Sequence, residues 1–367
     1  MGGELLVGIH RAIHNKIDSD LEVYRQILSY NKISYINLDS SDIDFWNRLN
    51  DVTHFIYRWS HAHSDHQIAN SIIPVIQYQK KIKCFPNWAT SWHYDDKIKQ
   101  TYLLKENGFP ICQSFIFYHK KQAIDWVNST SYPVVFKLKN GAGSLSVYII
   151  DSKRKARSLL NRMFGSGILQ TDVSFRYLAK TLNFDLQKIF RFYAINFRNR
   201  YYKPEKQNIW LRHKNYVYFQ KFLPDNQWDT RVTTAGNRAH AFRRFNRKND
   251  FRASGSNIWD INPANIDIRM VRIALDISKY LGFQAMAYDF LYDENKEPKI
   301  VEMSYLYGGA GHPDFMNGYW DEYLNWHEGR FWPQYFELMD LLDKPDLILP
   351  ENITAVSGYS KVDVNGK

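Results

Sequence analysis

Residues 133–144, PVVFKLKNGAGS, join a short apolar strand pattern to a loop that contains two glycines. The strand pattern ends at Lys137, and the loop continues with Gly141, Gly143 and Ser144. Glycine lets backbone N–H groups approach phosphate oxygens, and a lysine on the adjoining strand neutralises phosphate charge. The stretch predicts a phosphate-binding strand and loop, although a GxGS sequence alone is at least as often an ordinary hairpin turn.

The segments around this stretch predict an α/β chain built from several lobes. Residues 5–87 alternate short apolar runs with helix patterns, which is typical of a small open α/β lobe. Residues 96–163 continue with alternating helix and strand patterns. Residues 165–213 are rich in Arg, Tyr and Phe without a clear period, and we interpret them as an elaboration of the central lobe.

The second half of the chain predicts a hairpin, a helix and a pair of strands. The hairpin covers residues 230–244, the helix residues 266–282, and the strands residues 284–292 and 298–303. Residues 319–342, YWDEYLNWHEGRFWPQYFELMDLL, are predicted to close the lobe as one or two helices.

Composition limits the class of protein. The chain has 367 residues, of which 44% are hydrophobic, and no run of the roughly 20 apolar residues that a membrane span requires. We therefore predict a globular, cytoplasmic protein. Its only cysteines, Cys84 and Cys112, belong to no CxxC pair, which argues against a disulfide framework or a cysteine zinc site. The 48 Lys and Arg exceed the 38 Asp and Glu, and the resulting charge of +10 favours an anionic partner.

Candidates for binding a phosphorylated nucleotide occur elsewhere along the chain. Lys97 stands at the start of a predicted helix, and Asp229 is placed to accept hydrogen bonds from ribose hydroxyls. The strand-end residues whose backbone groups would bond an adenine are Gln220, Lys221, Phe222 and Leu223.

Two arginines and two acids complete the candidate set. The guanidinium groups of Arg244 and Arg252 suit phosphate or carboxylate oxygens. Asp289 and Glu302, on successive predicted strands, are candidates for magnesium, which takes oxygen ligands and bridges ATP phosphates. Each charge alone is more often a solvated surface residue, so the prediction depends on the order in which the parts follow one another.

This order resembles the ATP-grasp superfamily, most closely the branch of ribosomal-protein glutamate ligases and related carboxylate-amine ligases. The resemblance covers about residues 94–310. Where the branch has Q-E-F-I followed by D-I-R, this chain has residues 220–223 and then 229–231. Where it has F-R-S-N, the chain has residues 251–254, and residues 302–304 stand at its E-V-N metal motif.

The resemblance implies an α/β ATP-grasp fold in which two lobes with antiparallel sheets clasp ATP. The first lobe is predicted over residues 1–93 and the ATP-grasp domain over residues 94–345, with a tail over residues 346–367. The domain divides into a lid-like part, residues 94–215, and a C-terminal catalytic part, residues 216–345.

The resemblance also implies a reaction and roles for individual residues. The γ-phosphoryl group of ATP activates a carboxylate as an acyl phosphate, which an amine converts to an amide. Lys97 and Lys137 would bind phosphates, Asp289 and Glu302 would hold Mg²⁺, and Arg252 would steady the acyl phosphate and its tetrahedral successor. An acidic sugar or glycan, or an acidic peptide or amino acid, would suit the basic chain as substrate.

Some positions depart from the pattern of this branch. Ser304 replaces an asparagine that helps to hold a second magnesium, which leaves one or two metal ions open. Lys221 stands where an acidic residue is common, and Ala253 and Ser254 replace Ser and Asn.

Residues 60–66, SHAHSDH, support a rival hypothesis. They fit HxHxDH and resemble the zinc loop of metallo-β-lactamase-fold hydrolases, with His61, His63, Asp65 and His66 as ligands. The other histidines do not stand in the settings that this fold requires. In the ATP-grasp interpretation, the acceptor substrate would instead meet Arg58, His61, His63 and Ser254. Nucleic acid is not expected as a partner, since no RNA-binding motif accompanies the charge.

Overall fold

The computed structural model describes residues 5–10, 19–59, 61–141, 147–169, 211–247, 251–253, 256, 258–307 and 317–353. In these ranges the chain forms three larger sheets, one parallel and two antiparallel, with helices packed against them. The predicted α/β class is confirmed. Within the same ranges, no helix has both the length and the apolar character needed to cross a membrane.

The first lobe contains a parallel sheet of four strands in the order β2-β1-β3-β4. The strands are β1 (Leu6–His10), β2 (Ser34–Leu38), β3 (His54–Tyr57) and β4 (Lys83–Phe85). The main helices are α1 (Ser19–Tyr30) and α3 (His63–Pro74), which continues as a π-helical turn, Val75–Gln79. Short helices α2 (Phe45–Arg48) and α4 (Trp88–Ser91) complete the lobe. Burial of β1 and β3 on both faces explains their continuous apolar sequences.

The second lobe, called the lid, contains an antiparallel sheet in the order β5-β10-β6-β7. Its strands are β5 (Ser114–Phe117), β6 (Val134–Lys137), β7 (Val147–Ile150) and β10 (Val217–Lys221), and a small pair joins β8 (Ile168–Leu169) to β9 (Arg212–His213). Helix α5 (Lys97–Glu106) leads into the lid, and α6 (Lys120–Ser129) and α7 (Lys153–Met163) pack on its sheet.

The third lobe contains a seven-stranded antiparallel sheet in the order β15-β14-β11-β12-β16-β17, with β13 beside β12. Its strands are β11 (Trp228–Ala235), β12 (Arg238–Phe245), β13 (Trp259–Asp260), β14 (Ala285–Tyr292), β15 (Pro298–Ser304), β16 (Gly318–Trp320) and β17 (Trp326–Glu328). Helices α8 (Ile268–Leu281) and α9 (Pro333–Leu341) pack against it. The β11–β12 turn depends on Gly236, which has φ +58°, and a Cβ there would lie 2.1 Å from Asp340 Oδ2.

The prediction of one or two helices over residues 319–342 is wrong in its first half. Only α9 is helical, because β16 and β17 form a hairpin. Trp320 packs on Trp326 across this hairpin, with ring centroids 4.6 Å apart. Asp321 accepts the N–H groups of Tyr323 and Asn325, each at 2.9 Å, which fixes a turn where a helix would have to continue.

The first and third lobes share one hydrophobic core. Phe55 and Ile73 of the first lobe belong to the same buried cluster as Met270 of α8 and Met286 and Tyr288 of β14. The lid has a core of its own, formed between its sheet and helices α6 and α7. The first and third lobes thus form a common base, while the exact domain boundaries remain a prediction.

A buried carboxylate joins the two halves of this base. Glu337 on α9 accepts hydrogen bonds from the hydroxyl of Tyr24 on α1 and, at 2.9 Å, from that of Tyr307. Burial raises the pKa of Glu337 to about 7, although both tyrosines and Arg58 oppose this shift. Because the unfolded chain releases this proton near the ordinary value of 4.5, the folded protein binds more protons between pH 4.5 and 7.

This difference predicts a pH-dependent loss of stability. The contribution of Glu337 is full below pH 4.5, falls as the pH rises, and is lost above about pH 7. We expect Glu337→Gln to remove this slope, so that wild type loses on the order of 3 kcal/mol relative to the variant between pH 4.5 and 8. Urea unfolding across that range measures it, with the exposed Glu106→Gln as control. Parallel curves for wild type and Glu337→Gln would contradict the prediction.

Candidate active site

A cavity of about 570 Å³ lies where the lid meets the common base. This volume is typical of a site for a small molecule or cofactor. Its lining combines the predicted residues His61, Lys97, Lys137, Gly141, Gln220, Lys221, Phe222, Leu223, Asp229, Arg244, Arg252, Asp289, Glu302 and Ser304. Residues scattered over most of the chain therefore meet around one space, while their individual roles remain predictions.

The remaining predicted residues are not among the described lining of this cavity. Arg58 is buried and forms an ion pair with Asp20, and His63 begins α3. Gly143, Ser144 and Ser254 lie outside the described residues.

The register of the large sheet brings the acids and arginines together. Asp229 of β11 stands opposite Arg244 of β12, and Arg231 of β11 stands opposite Asp289 of β14. Asp289 in turn is paired with Glu302 of β15, beside an irregularity in the ladder. Since alternate residues of a strand share a face, these side chains form one charged row on the cavity side.

The charged row is held by short ion pairs. Arg244 binds Asp229 through two contacts of 2.7 Å and also lies 2.8 Å from Asp289 Oδ2. Arg231 binds the same Asp289 through contacts of 2.7 and 2.9 Å. Burial alone raises the pKa of Asp289, but the two arginines outweigh it and hold that pKa well below its usual range. Burial raises the pKa of Asp229 despite its pairing with Arg244.

Lys97 connects the lid loop to the carboxylate of Glu302. Asp96 caps α5 by accepting the N–H groups of Ile98 and Lys99, which places Lys97 in the first turn. The buried Lys97 Nζ donates to the carbonyl of Gly141 at 2.8 Å and lies 3.1 Å from Glu302 Oε1. Burial lowers the pKa of Lys97, but the neighbouring carboxylates outweigh this and raise it overall.

Lys137 is a buried ammonium without a matching carboxylate among the described residues. Its Nζ donates to the carbonyl of Val301 at 3.1 Å. Burial and the nearby Lys97 lower the pKa of Lys137, while Glu302 opposes the shift. An anion entering the cavity would supply a negative charge to pair with the Lys137 ammonium.

The strand-end residues 220–223 form one wall of the cavity. The N–H of Lys221 donates to the carbonyl of Gln113 at 2.8 Å, and its ammonium lies 2.6 Å from Glu294 at the surface. The side chain of Lys221 is thus paired away from the interior. The lining also includes apolar Val135, Leu291 and Met303, which suit a flat aromatic ring.

Two charged residues of this site, Arg231 and Asp95, received no role from the sequence patterns. Arg231 follows Asp229 by two positions, and the period of a strand would have placed both on one face. Asp95 is buried and accepts the N–H of Gly141 at 2.7 Å, and the amide of Asn140 donates to the Asp95 carbonyl. Asp95 has φ +50° and belongs to no motif, so only the folded chain reveals its contact with the loop.

The zinc hypothesis is not supported. His63, Asp65 and His66 lie in the first turn of α3, and Asp65 is buried within the lobe. In the described part of the chain, no group of three or more His, Cys, Asp or Glu side chains is arranged to hold a metal ion.

Asp289 and Glu302 remain candidates for a magnesium ion that would be held jointly with phosphates. Mg²⁺ commonly takes one or two carboxylates and completes its shell with phosphate oxygens and water. The side chain of Glu302 is 35% exposed, on the cavity side, and its carboxylate pairs with Lys97. The Ser304 hydroxyl donates its proton to the Leu306 carbonyl at 2.9 Å, so its oxygen remains an acceptor.

Solved structures share this architecture at low sequence identity. N5-carboxyaminoimidazole ribonucleotide synthetase from Thermotoga maritima matches with a TM-score of 0.55 and 14% identity, over 93% of this chain and 76% of its own. D-alanine–D-alanine ligase from Bacillus anthracis matches with a TM-score of 0.50 and 13% identity, over 83% of this chain and 88% of its own. No family model and no curated protein sequence matches. Both solved structures are ATP-grasp proteins, and this chain has the ATP-grasp fold.

Proposed function

We propose that the protein is an ATP-dependent carboxylate-amine ligase that works through an acyl phosphate. The observation that carries the proposal is the single cavity shared by Lys97, Lys137, Arg252, Asp289 and Glu302. This set supplies cations for a triphosphate and carboxylates for its metal ion. Two solved structures with the same fold are, by name, a ligase and a synthetase.

ATP would lie between the lid sheet and the large sheet. The adenine would contact the backbone at residues 220–223 and the apolar side chains beside them, and Asp229 would accept the ribose hydroxyls. Lys137 and Lys97 would bind the phosphates, together with the backbone of the loop that begins at Gly141. The buried Lys137, which has no carboxylate partner in the described part of the chain, supports this placement.

Asp289 and Glu302 would hold Mg²⁺, with Ser304 as a neighbouring oxygen. An ion held there would neutralise phosphate charge and help to orient the γ-phosphoryl group. Asp289 is paired with Arg231 and Arg244. Binding of the metal ion would therefore have to replace at least one of these ion pairs.

The chemistry requires positioning and charge neutralisation more than a protein nucleophile. A carboxylate is a poor electrophile, and transfer of a phosphoryl group to it creates a good leaving group. Arg244 and Arg252 would hold the carboxylate and the acyl phosphate. The charge of +10 supports an anionic carboxylate substrate, in the class of acidic sugars and glycans or acidic peptides and amino acids. We expect this reaction to take place in the cytoplasm.

An ADP-release screen tests the proposed function. Candidate carboxylates are crossed with candidate amines in the presence of ATP and magnesium, and every active pair is examined by mass spectrometry. We expect a product whose mass equals the sum of both substrates minus water. ADP release that never yields such a product would contradict ligase activity.

Lys137→Met tests the phosphate contact. The substitution keeps the length of the side chain and removes its charge, so we expect ATP to bind about 10- to 100-fold more weakly. Isothermal titration measures the change, and Lys155→Met on the lid helix α7 serves as control. Equal affinities for Lys137→Met and wild type would exclude the proposed contact.

Glu302→Gln tests the metal contact. We expect ADP release to fall at least about 100-fold, whereas binding of ATP without magnesium should change less than about threefold. Glu297→Gln, at the exposed turn before β15, is the matched control. Normal turnover by Glu302→Gln would remove this carboxylate from the metal site.

A further inference from the structure

His61 lies at the end of the cavity that the first lobe supplies. It lines the same space as Arg244, Arg252 and Glu302, and its side chain is 33% exposed. The imidazole can therefore meet a molecule in the cavity and still exchange a proton with solvent.

A buried carboxylate lies beside this imidazole. Asp95 Oδ2 lies 3.2 Å from His61 Nδ1 and 3.9 Å from His66 Nε2. Burial alone raises the pKa of Asp95, but His61, Lys97 and the Gly141 N–H outweigh it and lower that pKa below its usual range. Asp95 is thus held as an anion beside the ring.

The other close neighbours of His61 are a second histidine and a tyrosine. Burial lowers the pKa of His66 to about 4, so that ring stays neutral near pH 7. Tyr94 places its hydroxyl 3.2 Å from His61 Nδ1 and stacks its own ring on His66. The charged and titratable groups that act on this cluster are Arg58, His63, Asp65, His66, Tyr94, Asp95, Lys97 and Tyr305. Of the two histidines near Asp95, His61 is the one that reaches the cavity.

A short chain of contacts links this pair to the predicted metal carboxylate. Asp95 accepts the N–H of Gly141, the carbonyl of Gly141 accepts from Lys97, and Lys97 pairs with Glu302. The His61–Asp95 pair is therefore anchored to the same loop and lysine that border the proposed phosphate site.

We propose that His61 is the general base that deprotonates the amine acceptor, with Asp95 as the residue that positions it. This inference rests on the proposed ligase function. An ammonium group has no free electron pair and cannot attack an acyl phosphate. His61 takes one proton from the ammonium and passes it to solvent. The nitrogen then bonds to the acyl carbon, the bond from that carbon to the phosphate oxygen breaks, and the phosphate leaves with the electron pair and the second nitrogen proton.

Comparing two nucleophiles, the amine substrate and hydroxylamine, distinguishes deprotonation of the amine by His61 from formation of the acyl phosphate. With the carboxylate and amine found by the screen, amide formation requires deprotonation of the amine. Hydroxylamine is largely unprotonated at neutral pH, so it traps the same acyl phosphate as a hydroxamate without a base. We expect His61→Gln to lower amide formation at least about 100-fold and hydroxamate formation less than about threefold. His327→Gln is the matched control. His327, on β17, also pairs with an aspartate, its Nε2 lying 2.9 Å from Asp321 Oδ2.

Asp95→Asn gives a second measurement, including the case in which His61→Gln does not fold. Asparagine keeps an oxygen for the Gly141 N–H and removes the charge beside His61. We expect amide formation to fall about 10-fold or more, with hydroxamate formation close to wild type.

Results other than these would contradict either the role of His61 or the proposed ligase function. A variant that loses both products equally, or neither, excludes His61 as the base. If wild type forms neither amide nor hydroxamate with any carboxylate, the proposed function fails as well.

Discussion

The shared ion pairs of Asp289 are the constraint on which the cavity depends. Two arginines from two neighbouring strands, Arg231 and Arg244, bind one carboxylate, and Arg244 also holds Asp229. Removing one member of such a buried set leaves an uncompensated charge, which costs more than the pair contributes when intact. The sheet register therefore places two arginines against two aspartates, so that their charges compensate each other in the absence of a ligand. A bound ligand would replace some of these ion pairs.

A second junction connects the three lobes at one point. Asp95 follows the first lobe, Gly141 opens the lid loop, and Lys97 reaches Glu302 on the large sheet. All three contacts lie within or beside the candidate active site. These contacts fix the start of the lid loop against Asp95 and against Glu302 of the large sheet.

Local sequence patterns predicted those parts of the fold that depend on local periodicity. The strand patterns of residues 230–244, 284–292 and 298–303 predicted β11, β12, β14 and β15, and so placed Asp289 and Glu302 on successive strands. The aromatic segment before α9 was predicted wrongly, since Trp and Tyr fit either structure and the turn at Asp321 decided between them. The contacts of Asp95 with His61 and Gly141 join residues distant in sequence and follow from no local pattern.

The single core shared by the first and third lobes has a mechanical consequence. Sliding these lobes past each other would expose Phe55, Ile73, Met270 and Met286 together, at a cost of several kcal/mol. The lid carries its own core, so tilting it would leave the shared core covered. We therefore expect opening and closing to be a property of the lid, so that the end of the cavity near His61 keeps its shape while the end between the two sheets widens and narrows.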